Sequence, residues 1–181
     1  NCGGIDNIYR HHDYNIAVIE SVSGKTYANY FLHGAHLIVE GKPMSKSRGN
    51  ILYPQDVLDW GFQAHHLRFF LIHTHYRKRL NLTRERFRVA AEHLDSLRGL
   101  IAELLRGGGK VGSASCEQRI DDLTGVFEKA MKDDLAAGQA VEGLFKALKD
   151  IRSHCAPLSA DAAQRLRGRL ARIDEVLGVL L

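Results

Sequence analysis

The sequence predicts a mostly α-helical chain in two parts: a segment of mixed character through about Asn50, and a helical remainder. Two observations predict this. Apolar residues recur at spacings of three and four after Pro54, as on one face of a helix, and strand-like alternation is confined to the first fifty residues. In order, a helical stretch is expected from His11 to Ser21, then a strand over His36-Leu37-Ile38-Val39-Glu40, then a small-residue loop from Gly41 to Asn50. Pro54 suits the first turn of a short helix running to Trp60, with Gly61 placed to end it. Phe87, Ala90, Ala91, Leu94, Leu97, Ile101, Leu104 and Leu105 mark an amphipathic helix that Gly107-Gly108-Gly109 stops. Residues 107–116 read as a linker. Beyond it, Ile120, Leu123, Phe127 and Met131, then Val141, Leu144, Leu148 and Ile151, then Leu166, Leu170, Ile173, Leu177 and Leu180 supply apolar faces for three helices. A small bundle is expected there.

A length of 181 residues fits one to two domains with a modest core. No stretch approaches the roughly 18–20 continuous apolar residues that span a bilayer, and the first residues lack the basic and apolar regions of a signal peptide. A cytoplasmic location and no membrane contact are therefore expected. Cys2, Cys116 and Cys155 are an odd number at wide, irregular spacing, which predicts free thiols and no cysteine-rich metal ribbon. The net charge is only +4, but its distribution matters more. Arg68, Arg77, Lys78, Arg79, Arg84, Arg86, Arg88, Arg98, Arg106 and Lys110 form a basic stripe with few acids between them. Such a stripe suits a phosphate backbone, with the salt dependence of counterion release. A solvated helix face is the plainer reading of the same charges.

The run Gly41-Lys42-Pro43-Met44-Ser45-Lys46-Ser47-Arg48-Gly49-Asn50 gathers small residues, hydroxyls and lysines in one loop. Amides near Ser45, Ser47 and Gly49 can cradle an oligophosphate, while the Lys46 ammonium offsets charge growing on a departing pyrophosphate. A polar surface hairpin has the same composition.

Other segments set this loop in context. Gly3-Gly4-Ile5-Asp6 and His11-His12 precede it, and Leu67-Arg68-Phe69-Phe70-Leu71, His75-Tyr76-Arg77 and Leu80-Asn81 follow. In this order and spacing the set resembles cysteinyl-tRNA synthetase, a class I aminoacyl-tRNA synthetase. Family members there read Gly-Gly-x-Asp, a His-His pair, Lys-Met-Ser-Lys-Ser and Leu-Arg-aromatic…His-Tyr-Arg. Phe127-Glu128-Lys129-Ala130-Met131-Lys132-Asp133-Asp134-Leu135 is similar to the opening of that family's anticodon-binding helices. The resemblance implies the end of a Rossmann-type catalytic domain over residues 1–53, a helical stem-contact region over 54–106, and an anticodon-binding-like bundle over 117–181. The family's His-Ile-Gly-His-like signature is missing, so the resemblance covers the C-terminal part of such an enzyme and implies an upstream catalytic half as partner, without which the fragment is expected to be inactive.

By resemblance, ATP with Mg, an amino acid and tRNA are the expected ligands. Lys46 is the expected catalytic residue. Asp6, Lys42, Ser45, Lys46 and Ser47 would meet ATP or the adenylate, and Arg77, Lys78, Arg79, Arg84 and Arg88 the tRNA. His33 matches a family histidine that precedes the loop strand. The first histidine of the pair and a glutamate four residues on bind zinc in the family. Here they are His11 and Asn15, and a neutral amide is a poor zinc ligand, so zinc is doubtful and cysteine specificity with it. Asn1 and Cys2 also depart from the family's histidine and glycine. Pro43 replaces the first lysine of the loop and stiffens it, with Lys42 one place earlier as partial compensation. Two other classes fit the same residues: a non-catalytic tRNA-binding module derived from a synthetase, and a ligase joining cysteine to an amine. The helices after residue 117 weigh against the ligase.

Overall fold

The computed structural model describes residues 1–109 and 113–181, so Lys110 of the basic stripe and the middle of the expected linker lie outside the described residues. Two compact units are present. The first is Asn1–Ile51 with Tyr76–Thr83, and the second is Leu52–His75 with Arg84–Leu181.

In the first unit β1 (Cys2–Gly4) and β2 (Leu32–Gly34) run parallel, Gly4 facing Gly34. Parallel neighbours need a crossover, and α1 (Asp13–Ser23) supplies it. The expected helix from His11 starts two residues late because Arg10 sits at φ 67°, outside helical geometry, within an irregular turn over Ile8–His12. None of α1 is buried, and Val18 and Val22 are 54% and 85% exposed. The expected strand over 36–40 is β3 (Leu37–Val39), the middle of a second sheet. Antiparallel β4 (Lys42–Pro43) flanks it on one side and parallel β5 (Leu80–Leu82) on the other. The β5 strand interrupts a stretch read as helical from sequence. Three residues with one alternation are too short for a periodic signal, and pairing with β3 decides their conformation. Asn81 reinforces the sheet by accepting a hydrogen bond from the Gly41 amide at 2.9 Å.

The second unit holds α2 (Pro54–Asp59), α3 (Ala64–His73), α4 (Arg84–Leu105), α5 (Ala114–Lys132), α6 (Ala137–Cys155) and α7 (Ala160–Leu177). Pro54 opens α2 as expected, and the Asp56 carboxylate accepts from the Tyr53 amide at 2.7 Å. Ser113 and Ser159 cap α5 and α7 by accepting from the amides of Cys116 and Ala162. The predicted apolar faces form the core: Leu94, Leu97, Ile120, Leu123, Leu144, Leu148, Ile151, Leu166 and Leu170 are wholly buried with Phe69.

Two details correct the sequence reading. Cys116 and Cys155 are not free thiols but a disulfide, with Cα atoms 5.7 Å apart, and Cys2 is the free cysteine. Antiparallel packing brings the head of α5 to the tail of α6, a proximity that spacing along the chain conceals. The basic stripe, in turn, is partly structural. Arg68 Nε and Nη2 donate to the carbonyls of Leu177 and Val176, and Arg98 Nη1 donates to that of Val179 at 2.7 Å. These guanidinium groups satisfy carbonyls that the end of α7 leaves without intrahelical partners.

Candidate functional site: strand ends and the lysine loop

The carboxyl ends of β1 and β2 carry two polar pairs. Asp6, in the turn directly after β1, lies 2.9 Å from His36 Nε2. That hydrogen bond, followed by one from its own backbone, holds the Asp6 carboxyl below its ordinary pKa. Buried His12 Nδ1 lies 2.8 Å from Nε2 of His33 on β2. Burial, then the charges His33 and His11 would carry, push the His12 pKa down. The His12–His33 contact needs one N–H and one bare nitrogen, so the pair is not doubly protonated while the bond lasts. The backbone is tight here, because a Cβ on Gly4 would meet Asp6 Oδ1 at 2.4 Å. Ligands of open α/β sheets commonly bind beyond strand carboxyl ends, and these four side chains offer acceptors and donors for an ammonium or hydroxyl group there. His36 was not marked by sequence. Its partner lies thirty residues earlier, and only parallel pairing of β1 with β2 shows the connection.

In the same unit, residues Lys42 to Asn50 form a closed loop. A single turn over Lys46–Arg48 ends at Gly49, whose φ of 65° suits glycine. Asn50 clamps the loop: its Oδ1 accepts from the Ser45 amide at 3.0 Å and its Nδ2 donates to the Pro43 carbonyl at 3.2 Å. Arg48 Nη1 donates to the same carbonyl at 3.2 Å. Ser45 and Ser47 hydroxyls lie 3.3 Å apart. Of the amides expected to face a phosphate, that of Ser45 is given to Asn50 and that of Gly49 to the Lys46 carbonyl. Lys42 and Lys46 are exposed, and neither forms an ion pair among the described residues. An open groove of about 660 Å³ is lined by Val39, Glu40, Lys42, Pro43, Arg48 and Asn50.

The residues expected to meet tRNA divide between the units. Arg77, Lys78 and Arg79 precede β5 in the first, all exposed, with the Arg77 guanidinium 4.9 Å from the Tyr76 ring centre. Arg84 and Arg88 open α4 in the second. Arg84 lies 5.7 Å from the Trp60 ring centre. Arg88 bridges Glu85, at 2.7 Å, and Glu92, which raises its pKa and leaves its charge locally matched. His11 is exposed, Asn15 half-buried, and His11 belongs to no group of three metal-binding side chains among the described residues.

Residues 1–92 match the family described as tRNA synthetases class I (C) catalytic domain, and residues 126–181 match the DALR domain. The chain belongs to the cysteinyl class I tRNA synthetases. It is 35% identical to the cysteine–tRNA ligase of Chlamydia muridarum and 32% identical to that of Protochlamydia amoebophila, each over 98% of its length. It spans 40% and 38% of those two relatives. Its fold is similar to part of the LeuRS of Agrobacterium radiobacter K84, solved in a ternary complex with tRNA and LeuAMS. The TM-score is 0.74 at 15% identity, over 99% of this chain and 26% of that one. No described helix is long and apolar enough to cross a membrane.

Proposed function

We propose that this chain forms the loop-bearing and helical part of an ATP-dependent cysteinyl-type synthetase, which adenylates an amino acid and transfers it to tRNA. What supports this most is the placement of Lys46 and the strand-end residues Asp6 and His36 in one compact unit, ahead of helices that match a DALR domain. In the first step the amino-acid carboxylate attacks the α-phosphate, forming the acyl adenylate and releasing pyrophosphate. Lys46 stabilises the charge that gathers on the departing phosphates, and Lys42 assists. In the second step a hydroxyl at the tRNA 3′ end attacks the adenylate and AMP leaves. The protein acts by positioning and charge, with no covalent protein intermediate. Magnesium, when bound, would neutralise phosphate charge, and no side chain of this chain is assigned to it. Zinc is not assigned at His11, which belongs to no group of three metal-binding side chains among the described residues.

The inward Ser45 and Gly49 amides mean that phosphate binding reopens the loop, with Asn50 released from Ser45. The exposed face of α1, with Tyr14, Val18 and Val22, suits the proposed upstream catalytic half, which would complete the amino-acid site. Lys78, Arg79 and Arg84 are the proposed tRNA phosphate contacts, together with Arg77.

The deciding experiment is ATP–pyrophosphate exchange with cysteine. In a polypeptide that includes the catalytic half, Lys46→Ala should slow exchange at least tenfold, about 1.4 kcal/mol of barrier. The 181-residue chain alone should be inactive. The inward-turned amides and Pro43 favour one second reading, a tRNA-binding module without catalysis. Absence of exchange in the longer polypeptide, with tRNA still bound, would select it.

A further inference from the structure

Away from the strand ends, the second unit gathers two imidazoles and a carboxylate from three helices. His73 ends α3, His93 lies in the middle of α4 and Glu142 is in the second turn of α6. Both ring nitrogens His73 Nε2 and His93 Nε2 lie 3.5 Å from Glu142 Oε1, and all three ligand atoms are within 4.8 Å of one another. Nε2 of His73 is shielded from solvent and makes no hydrogen bond. A buried polar atom without a partner is costly and asks for a reason.

The distances supply one. At 3.5 Å the contacts are too long to be good hydrogen bonds. They are close to the edge of a tetrahedron around an ion, about 3.3 Å for zinc bonds of roughly 2.0–2.1 Å to nitrogen and oxygen. The ring planes of His73 and His93 stand at 84° with centroids 5.5 Å apart, so the two rings do not stack on each other. Phe69 and Phe145 wall the cluster, at 4.8 Å from the His73 ring and 5.3 Å from the His93 ring. Gly138, one turn before Glu142, lets α6 approach α3, because a Cβ there would lie 2.3 Å from the His73 carbonyl oxygen.

The second histidine cluster on these helices is differently occupied. His66 Nδ1 accepts from the Gln63 amide at 3.1 Å and its Nε2 meets Asp95 at 3.0 Å, so both nitrogens serve the start of α3 and its tie to α4.

We propose that His73, His93 and Glu142 form a divalent transition-metal site, best suited to zinc, that ties α3, α4 and α6 together and leaves a fourth position open to water. Two imidazoles and a carboxylate are a zinc-type donor set, and the exposed carboxylate side provides entry. Metal binding stabilises the folded unit by mass action.

The test is calorimetric titration of the metal-stripped 181-residue chain with zinc, beside a His73→Gln, His93→Gln double variant whose folding is checked by circular dichroism. One tight equivalent should bind the natural chain. The double variant should lose more than the roughly 10–100-fold that removal of a supporting partner costs. A natural chain without a tight equivalent overturns the site, and so does equal binding by both proteins, which would put the metal on other histidines. Should the double variant fail to fold, ring proton signals of the natural chain decide. Those of His73 and His93 must shift with one equivalent of zinc, and their standing still while zinc binds elsewhere ends the proposal.

Discussion

Single residues in this chain serve differently from what their charge suggests. Arg68 and Arg98 close the end of α7, and Arg88 is held by two glutamates. Asp121 shows the same pattern in reverse, one acid held by two bases. Arg165 Nε lies 2.8 Å from it and Arg169 Nη2 3.0 Å, tying α5 to α7. The hydrogen bond from Arg165, above all, pulls the Asp121 carboxyl from 3.8 down to about 2. A carboxyl whose folded pKa lies below its unfolded value adds stability above the unfolded pKa and loses it as pH falls through the folded one. Asp121→Asn should therefore lower Tm at pH 7, by a modest amount because the group is partly solvated. The gap to the natural chain should close between about pH 4 and pH 2. Thermal scans across that range check it, and a gap that persists at pH 2 would assign the effect to packing.

At the scale of elements, the disulfide binds the start of α5 to the end of α6 and closes a loop of 39 residues. Chain-entropy arguments value such a closure at about 3–4 kcal/mol. Reduction, or Cys155→Ser, should lower the urea midpoint accordingly, and an unchanged midpoint would show that the bond is not formed in solution. Long elements were legible in the sequence. Phe87, Leu94, Leu97 and Leu104 repeat over enough turns to mark α4, and the three later helices are read from the same kind of run. Short elements were not. The two glycines of β1, the single turn around Lys46 and the three residues of β5 carry no periodicity, and partners distant in sequence decide them. The candidate site divides along the same line. Lys46 and Asp6 stand in recognisable local strings, whereas His36 and the His73, His93 and Glu142 cluster exist only once strands and helices pack.

For the molecule as a whole, binding to tRNA is the property that both proposed readings share, and its salt dependence tests the proposed phosphate contacts. The slope of log affinity against log salt reports the phosphates neutralised, at about 0.7–0.9 for each. Lys78→Ala and Arg79→Ala should each reduce that slope by about one phosphate's worth. Arg88→Ala should leave it nearly unchanged, because Glu85 and Glu92 already match its charge. Filter binding at several salt concentrations measures all three. A slope that falls as far for Arg88→Ala as for Lys78→Ala would mean that tRNA displaces the two glutamates. The interleaving of the two units bears on synthesis as well as binding. A ribosome delivers β3 early, yet its parallel partner β5 is made only after α2 and α3 have been translated. During that interval Leu37, Ile38 and Val39 have no β5 edge to pair with. The first unit thus begins earlier than the second but cannot be finished until about thirty residues later, so its maturation is timed by the other unit's helices.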